Sequence, residues 1–535
     1  MIFTRKRKTI EKLQKSFGEL KDDTFDFDLI EMYFRSKDNS DAFQVLSDRT
    51  CNDLDFQELF MFIDRTNSKI GQQFLYDKLR TIPPNINNHE TNEILIDQIT
   101  NKPEFRVSIQ KQLKKLNNDD ANYLTSLFQE EHLKPPRWFF IIRILSVASL
   151  LSLIMVFVSK YFFFVILGLF IVNIIIHYWN KRNLFLYLYS IPQLIRLCQV
   201  ANDFSKTPIL LKLNPDIRKS IKIVEKIKRR MSFFKLETNL ETDLGALLWT
   251  IIELPKAYFL IEPMMLFGVL KRLDTRRKEL EDVYVFVGQI DSLISIASLR
   301  KGLIKYCRPE IIEDEKFISA NEVYHPLIDN CITNNINIQD KSILLTGSNM
   351  SGKTTFIRTI GINAITALTL NTCFADKFSL PKMKIYSAIR ISDDLLNDKS
   401  YYFEEVLTIK EMITQSKSVN PNLFLLDEIY KGTNTIERIS AGKAVLSTLA
   451  KDNNIVIIST HDIELADLLK DEYSLSHFSE KVSDATVDFD YKLKDGQLKN
   501  RNAIKILELN GYPENIIKEA IEISKELDKT ILSKK

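Results

Sequence analysis

The spacing of hydrophobic positions divides the chain into regions of different texture. Residues 1–50 are polar with weak periodicity. From Asp53 the stretch LDFQELFMFIDRTNSKIGQQFLYDKLRTIPP predicts two short helices broken near Asp64–Ser68. Pro83 and Pro84 end the second, because proline lacks the amide a helix needs. Residues 88–131 carry a polar-rich helical pattern. Two apolar runs follow. Trp138–Val158 holds one charge, Arg143, and Tyr161–Trp179 holds none. Each is long enough to cross a hydrocarbon core of ~30 Å at ~1.5 Å per residue. Ser159 and Lys160 leave room for a tight turn, so the pair predicts a transmembrane hairpin with both ends on one side.

Lys134, Arg137, Lys181 and Arg182 flank the outer ends, against Lys160 in the turn. That bias puts both termini in the cytosol and the hairpin in the cell (inner) membrane. Trp138, Tyr178 and Trp179 are interfacial anchors, and Arg143 is close enough to one end to snorkel. The alternative is a buried helical hairpin in a large core, although core helices seldom stay apolar on every face. Residues 183–310 predict further helices. Within them IRKSIKIVEKIKRRMSFFKLE, residues 217–237, is strongly basic. It is read as a solvated face, or as a contact for lipid headgroups or nucleic acid. From about 316, short apolar runs (342–346, 423–426, 455–459) alternate with helical stretches, the rhythm of an α/β domain.

Composition refines this outline. The chain has 535 residues, room for about three domains. It is 45% hydrophobic and 27% charged, so most of it is globular. A net charge of +3 excludes an overall polycation but not local basic patches such as Arg5–Lys8. Five scattered cysteines without a C-x-x-C pair predict reduced thiols rather than a disulfide framework or zinc site. The basic N-terminal stretch lacks the apolar run of a secretory signal.

The chemistry lies in the α/β region. Gly347-Ser348-Asn349-Met350-Ser351-Gly352-Lys353-Thr354 fits G-x-x-x-x-G-K-[ST], and Thr355 follows. It lies between an apolar strand and a helical pattern, the context of a phosphate-binding loop. Its amides and the following helix terminus would cradle ATP phosphates. Lys353 would neutralise the β- and γ-phosphates, and Thr354 would ligate Mg²⁺. Asp427 and Glu428 end a buried strand, LFLLDE. Asp427 is placed to hold Mg²⁺, and Glu428 to orient or deprotonate the attacking water. His461, in STHD after strand IVIIS, is placed to reach the γ-phosphate.

These residues resemble the ATPase domain of the MutS mismatch-repair family, relatives of the ABC ATPases. TGSNMSGKTTFIRTIG is similar to that family's TGPNM-type loop, LLDEIYKGTNT to its Walker B and following loop, and STHD to its switch. IRISDDLLNDKSYYFEEV (389–406) resembles the signature segment, with Ser400 at the signature serine. VYHPLI, DRTNSKIGQQFLYDKLRTIPP and the stretch around Gly511 and Pro513 resemble further family segments. There is no LSGGQ, which argues against a transporter-type ABC ATPase. The resemblance implies a homodimer in which Ser400 reaches across to ATP held by the partner. It departs from the mismatch-binding pattern in several places. Only about 50 residues precede the core-like segment, less than a domain requires. The hairpin interrupts the clamp region, and Lys431 stands where arginine is usual. Mismatch recognition is therefore not carried over.

The resulting expectation is an α/β P-loop (ABC-type) ATPase at the C-terminal end. An all-α core and lever region interrupted by a two-helix transmembrane hairpin precedes it. The divisions are a polar segment 1–50, a helical core-like segment 51–132, the hairpin 133–182, a helical lever 183–315, the ATPase domain with dimerisation elements 316–525, and a tail 526–535. The expected function is a membrane-anchored, ATP- and Mg²⁺-dependent clamp or switch acting on DNA. The rival is a membrane remodelling or signalling ATPase that touches no DNA, with the lipid bilayer met by residues 138–179.

Overall fold

The computed structural model describes residues 2–85, 89–183, 185–231, 254–313, 316–348, 350–390, 401–482, 487–498, 504, 507–508 and 511–532. They form two compact units interleaved in sequence. One comprises Met1–Ser40, Ile63–Arg80 and Asn87–Gly302; the other comprises Asp41–Phe62, Thr81–Ile86 and Leu303–Lys535. The stretch read from sequence as one helical segment, 51–132, is thus divided between the units. The second unit resumes at Leu303, ahead of the boundary placed at 316.

The first unit is helical. Its axis is Arg277–Gly302, buried along nearly its whole length. This helix is apolar and long enough to cross a membrane, but 83% of its apolar stretch is buried by protein. Small side chains explain how neighbouring backbone comes so near. Ser295 Oγ donates to Ile63 O at 3.0 Å and accepts from Arg65 N at 2.7 Å. Ser298 Oγ accepts from Gly18 N at 2.9 Å. Asp291 caps the start of helix Lys69–Arg80, accepting from Asn67 N at 2.9 Å and Ser68 N at 2.8 Å. Burial nevertheless raises the Asp291 carboxyl to about 6. Arg300 and Glu93 form a buried two-pronged ion pair at 2.6 and 2.8 Å.

Gly71 is required where the two helices cross. A Cβ there would lie 2.2 Å from Asp291 Oδ2 and 2.5 Å from its Cβ. Overpacking of a buried contact costs about 1–3 kcal/mol, more than the ~1 kcal/mol of helix propensity alanine returns. Gly71→Ala is therefore expected to lower the midpoint of thermal unfolding of the full chain. An unchanged midpoint would mean that this crossing relaxes freely.

The apolar runs fold as an antiparallel helical hairpin, Phe139–Met155 and Phe162–Asn183. The reversal takes up residues 156–161 rather than Ser159 and Lys160 alone. Two residues are too short to join helix axes 8–10 Å apart. Amides of Val156 and Ser159 close on Ser152 O and Met155 O. The outward surface is strongly apolar: Phe157 is 91% exposed, Val158 77% and Phe164 71%. The stretch Phe162–Trp179 has mean hydropathy 2.2 and is 11% buried. Trp138 and Trp179 meet at the open end with centroids 5.0 Å apart.

The basic stretch forms helix Ile217–Met231, and residues 232–237 lie outside the described set. Ile217, Ile221, Val224 and Ile227 recur at helical spacing and are buried. Arg218, Lys219, Lys222 and Lys226 point outward. These four basic residues therefore form the polar side of an amphipathic helix.

The second unit is α/β. Its main sheet runs Lys494–Asp495, Tyr473–His477, Ser342–Thr346, Ile455–Ser459, Asn422–Asp427, Lys384–Ala388. All pairings are parallel except the first. Ser342–Thr346 and Ile455–Ser459 are buried at every position. Such continuous apolar runs suit central parallel strands covered on both faces. A second sheet orders Glu310–Ile312, Lys377–Pro381, Phe317–Val323, Asn334–Gln339. Near its edge Cys307 and Cys373 face each other across an antiparallel bridge, and all five cysteines are free thiols.

Residues 41–62 complete this unit. Leu54, Leu59 and Phe60 are buried to 1% exposure or less. Gln44 Nε2 donates to Ile385 O, and Gln44 Oε1 accepts from Ile385 N, both at 2.7 Å. Two-residue strands Gln44–Val45 and Thr81–Ile82 pair with each other, which ends the preceding helix at Arg80.

Candidate active site

The phosphate loop joins Ser342–Thr346 to helix Lys353–Leu370. Gly347 has φ +144° and Gly352 φ +104°, conformations that side chains disfavour. A Cβ on Gly347 would also lie 2.6 Å from Phe478 O. Lys353 is buried, and its Nζ donates to Gly347 O and Ser348 O, each at 2.8 Å. Desolvation lowers the pKa of that amine. Ser351 Oγ donates to Ser348 O at 2.8 Å and braces the loop. Ser348 Oγ donates to Glu480 Oε2 at 3.1 Å. Met350 is exposed, Thr355 is half-buried, and Asn349 lies outside the described residues.

Adjacent parallel strands bring the acidic pair and the switch histidine to this loop. Thr354 Oγ1 donates to Asp427 Oδ2 at 2.8 Å. The hydroxyl of Ser459, on the neighbouring strand, bonds the other oxygen of Asp427. Glu428 has φ +51°, and its amide donates to Ser459 O at 3.0 Å. A glutamate in the left-handed region is backbone strain of the kind that gathers at functional sites. His461 Nε2 lies 2.8 Å from Glu428 Oε1 and 3.5 Å from Lys353 Nζ. Lys431 Nζ lies 3.2 Å from Glu428 Oε2. The hydrogen bond from His461, with Lys431 adding to it, lowers the Glu428 carboxyl to about 2 against the opposing effect of burial.

A cavity of about 840 Å³ opens beside Gly352, Thr354 and Thr355. Tyr324, Phe489 and Tyr491 supply aromatic walls, and Ile328 an apolar one. Its size falls in the range of small-molecule sites. The Thr354–Asp427 pair offers the hard oxygens a divalent cation prefers. Among the described residues there is no cluster of three or more His, Cys, Asp or Glu side chains.

Several contributors were not recognisable from motifs. Arg438 pairs with Asp462 through two bonds of 2.8 and 2.7 Å, fixing the loop behind His461. Glu405 Oε1 accepts from Tyr430 N at 2.5 Å, tying helix Tyr401–Gln415 to the loop after Glu428. Asp53, 1% exposed, accepts from Ser387 Oγ, Ile389 N and Arg390 N at 2.6, 3.0 and 2.7 Å. Asp55 pairs with Arg358 and Arg390, both at 2.7 Å. Residues 52–55 thus grip the strand end that leads into 391–400. Ser400 and the rest of that stretch lie outside the described residues. Asp53 ends helix Asp48–Asp53, and no local motif marks its role.

A central parallel strand feeding a glycine-bent loop and helix, with an acidic pair on the next strand but one, defines a P-loop ATPase domain. Comparison with known proteins places it further. Residues 343–528 match the family model for MutS domain V. The DNA mismatch repair protein MutS of Aquifex pyrophilus is 29% identical over 266 residues, 47% of this chain and 30% of the relative. That of Thermotoga maritima is 28% identical over 278 residues, 49% of this chain and 34% of the relative. That of Orientia tsutsugamushi (strain Boryong) is 33% identical over 239 residues, 42% and 26% respectively. These matches support the MutS family for the C-terminal part, and the chain spans about a third of the length of these relatives.

Proposed function

We propose that the protein is a membrane-anchored MutS-like ATPase that closes as a dimer on ATP and acts as a clamp or switch on DNA. The observation that carries the ATPase part is the convergence of Lys353, Thr354, Asp427, Glu428 and His461 on one loop. In this reading the amides of residues 347–352 and Lys353 hold the phosphates of ATP. Its base and ribose enter the cavity walled by Tyr324, Phe489 and Tyr491. Thr354 and Asp427 would hold Mg²⁺, which would supply charge neutralisation at the phosphates. Glu428 orients the attacking water and takes its proton. His461 passes the state of the γ-phosphate to Glu428 through their shared hydrogen bond. Ser400 completes the partner's site, a role that rests on the family resemblance.

DNA as the target is supported by the relatives' designation. Membrane anchoring is supported by the apolar surface of residues 138–179 with tryptophans at its open end. Both ends and the ATPase unit lie on the cytoplasmic side of the inner membrane. The same surface, with the basic outer face of Ile217–Met231, favours a second reading in which the ATPase serves membrane remodelling or signalling without DNA.

Turnover of the full chain in liposomes separates the readings. It is measured with and without duplex, mismatched and branched DNA at two salt concentrations, with Lys353→Ala as blank. Stimulation that weakens at high salt is the expected result. Real turnover indifferent to every DNA would retire the clamp and leave the membrane reading.

A further inference from the structure

The hairpin is not apolar throughout. Ser149, Ser152, Asn173 and His177 are buried and face a third segment of the same unit. Its described part is helical at 254–258, breaks, and resumes as helix Ile261–Asp274. Leu260, at the break, has φ +51°. The break removes Tyr258 O from the helical ladder, and Asn173 Nδ2 donates to that carbonyl at 2.6 Å. Asn173 Nδ2 also reaches Ser149 Oγ at 2.8 Å, and Ser152 Oγ lies 2.9 Å from Tyr258 OH. His177 Nε2 lies 3.5 Å from Glu262 Oε2, with both side chains buried.

The outward side of the segment has the opposite character. Among the described residues of 257–270, those at least partly open to the surroundings are Phe259, Ile261, Met264, Met265 and Gly268, and none is charged. The two charged residues of 254–270, Lys256 and Glu262, are buried. Depth also agrees with the hairpin. Phe267 packs edge-on to Phe139, centroids 5.0 Å apart, near the end marked by Trp138 and Trp179. One turn further, ~5.4 Å, exposed Lys271 and Arg272 emerge on the side of Lys134 and Arg137.

We infer that residues 257–270 are a third bilayer-embedded element, a broken helix docked on the hairpin by a polar seam with its outer face against lipid acyl chains. The inference rests on the reading that residues 138–179 cross the membrane. Within hydrocarbon, an interrupted helix persists only where protein groups satisfy the freed backbone. Asn173 is such a group. Ionisable side chains at that depth turn inward and pair, as Glu262 and His177 do. A water-facing surface gives no reason for both features beside an uncharged outer face.

The test uses the full chain in liposomes, with Cys307 and Cys331 changed to serine and a nitroxide at one site per sample. The sites are Met264→Cys, Phe164→Cys on the hairpin, and Ile304→Cys, a fully exposed position. Accessibility to oxygen and to a water-soluble nickel chelate is read by power saturation. The label at 264 is expected to match that at 164, open to oxygen and closed to nickel, while 304 is open to nickel. Nickel access at 264 with lipid-like behaviour at 164 overturns the inference and leaves the hairpin in the membrane. Closure of 264 to both reagents means that protein covers it, and also overturns the inference. Nickel access at 164 removes the membrane reading itself. Adding Asn173→Leu is expected to increase nickel access at 264, because the broken backbone loses its donor; no change would remove the seam from the account.

Discussion

Replacement of Glu428 by glutamine is expected to leave ATP binding intact and slow turnover by about 10²–10⁴-fold, the usual contribution of a positioned general base. Glutamine keeps the size of the side chain but cannot accept the proton of the attacking water. The carboxylate is held near 2 by His461 and Lys431. Its ionised form is therefore favoured in the folded protein. The stabilisation this brings is present above the ordinary carboxyl value of 4.5 and is lost only as pH falls through about 2. Activity of the parent protein should show no acid limb from Glu428 over the working pH range. Single-turnover hydrolysis and nucleotide-binding measurements on Glu428→Gln check the first claim, and the pH profile of kcat checks the second. Ordinary turnover in the variant would assign the base elsewhere. Mixing it with Ser400→Ala protomers adds a test of action across the dimer, since a trans site predicts altered closure in the mixture.

The second large effect concerns the hairpin. Val147 and Ile171 are exposed at 57% and 55%. At such positions in a water-soluble protein, arginine changes stability by only about 0.5 kcal/mol. In a bilayer each costs about 2.5–3.5 kcal/mol near the centre of a span. Val147→Arg with Ile171→Arg is therefore expected to shift the chain out of carbonate-washed membranes, where the parent remains. Equal retention of parent and variant would mean that something other than insertion holds the chain there. Recovery of both in the soluble fraction, equally folded, would rule out the anchor.

What could be read from the sequence follows the range of the interactions involved. The P-loop, the acidic pair and the STHD turn are each local. Their residues adjoin short apolar strands, so spacing alone exposes their chemistry. The helix break at Asp64–Ser68 is also local and appears at the position expected, with helices Phe56–Ile63 and Lys69–Arg80 on either side. Asp53 could not be read in this way. Its partners Ser387, Ile389 and Arg390 lie more than 330 positions away. Nothing near Asp53 in the chain announces them. The same holds for Asn173, a single polar residue in an apolar run whose purpose depends on a broken carbonyl 85 positions later. The reversal of the hairpin was misplaced because hydropathy marks where charge falls, not where a helix must stop to turn.

Residues 41–62 bear on how the ATPase unit can be studied in isolation. A fragment starting at Leu303 would carry every nucleotide motif yet lack Leu54 and Phe60, each worth about 1.5–3 kcal/mol of burial, together with the carboxylate that satisfies Ser387 and the amides of Ile389 and Arg390. It would expose an apolar trough and leave buried donors without acceptors. Dissection by simple truncation therefore yields an aggregation-prone piece. A soluble ATPase fragment would need residues 41–62 joined ahead of 303 through a designed linker, an order of segments that nature's chain does not use.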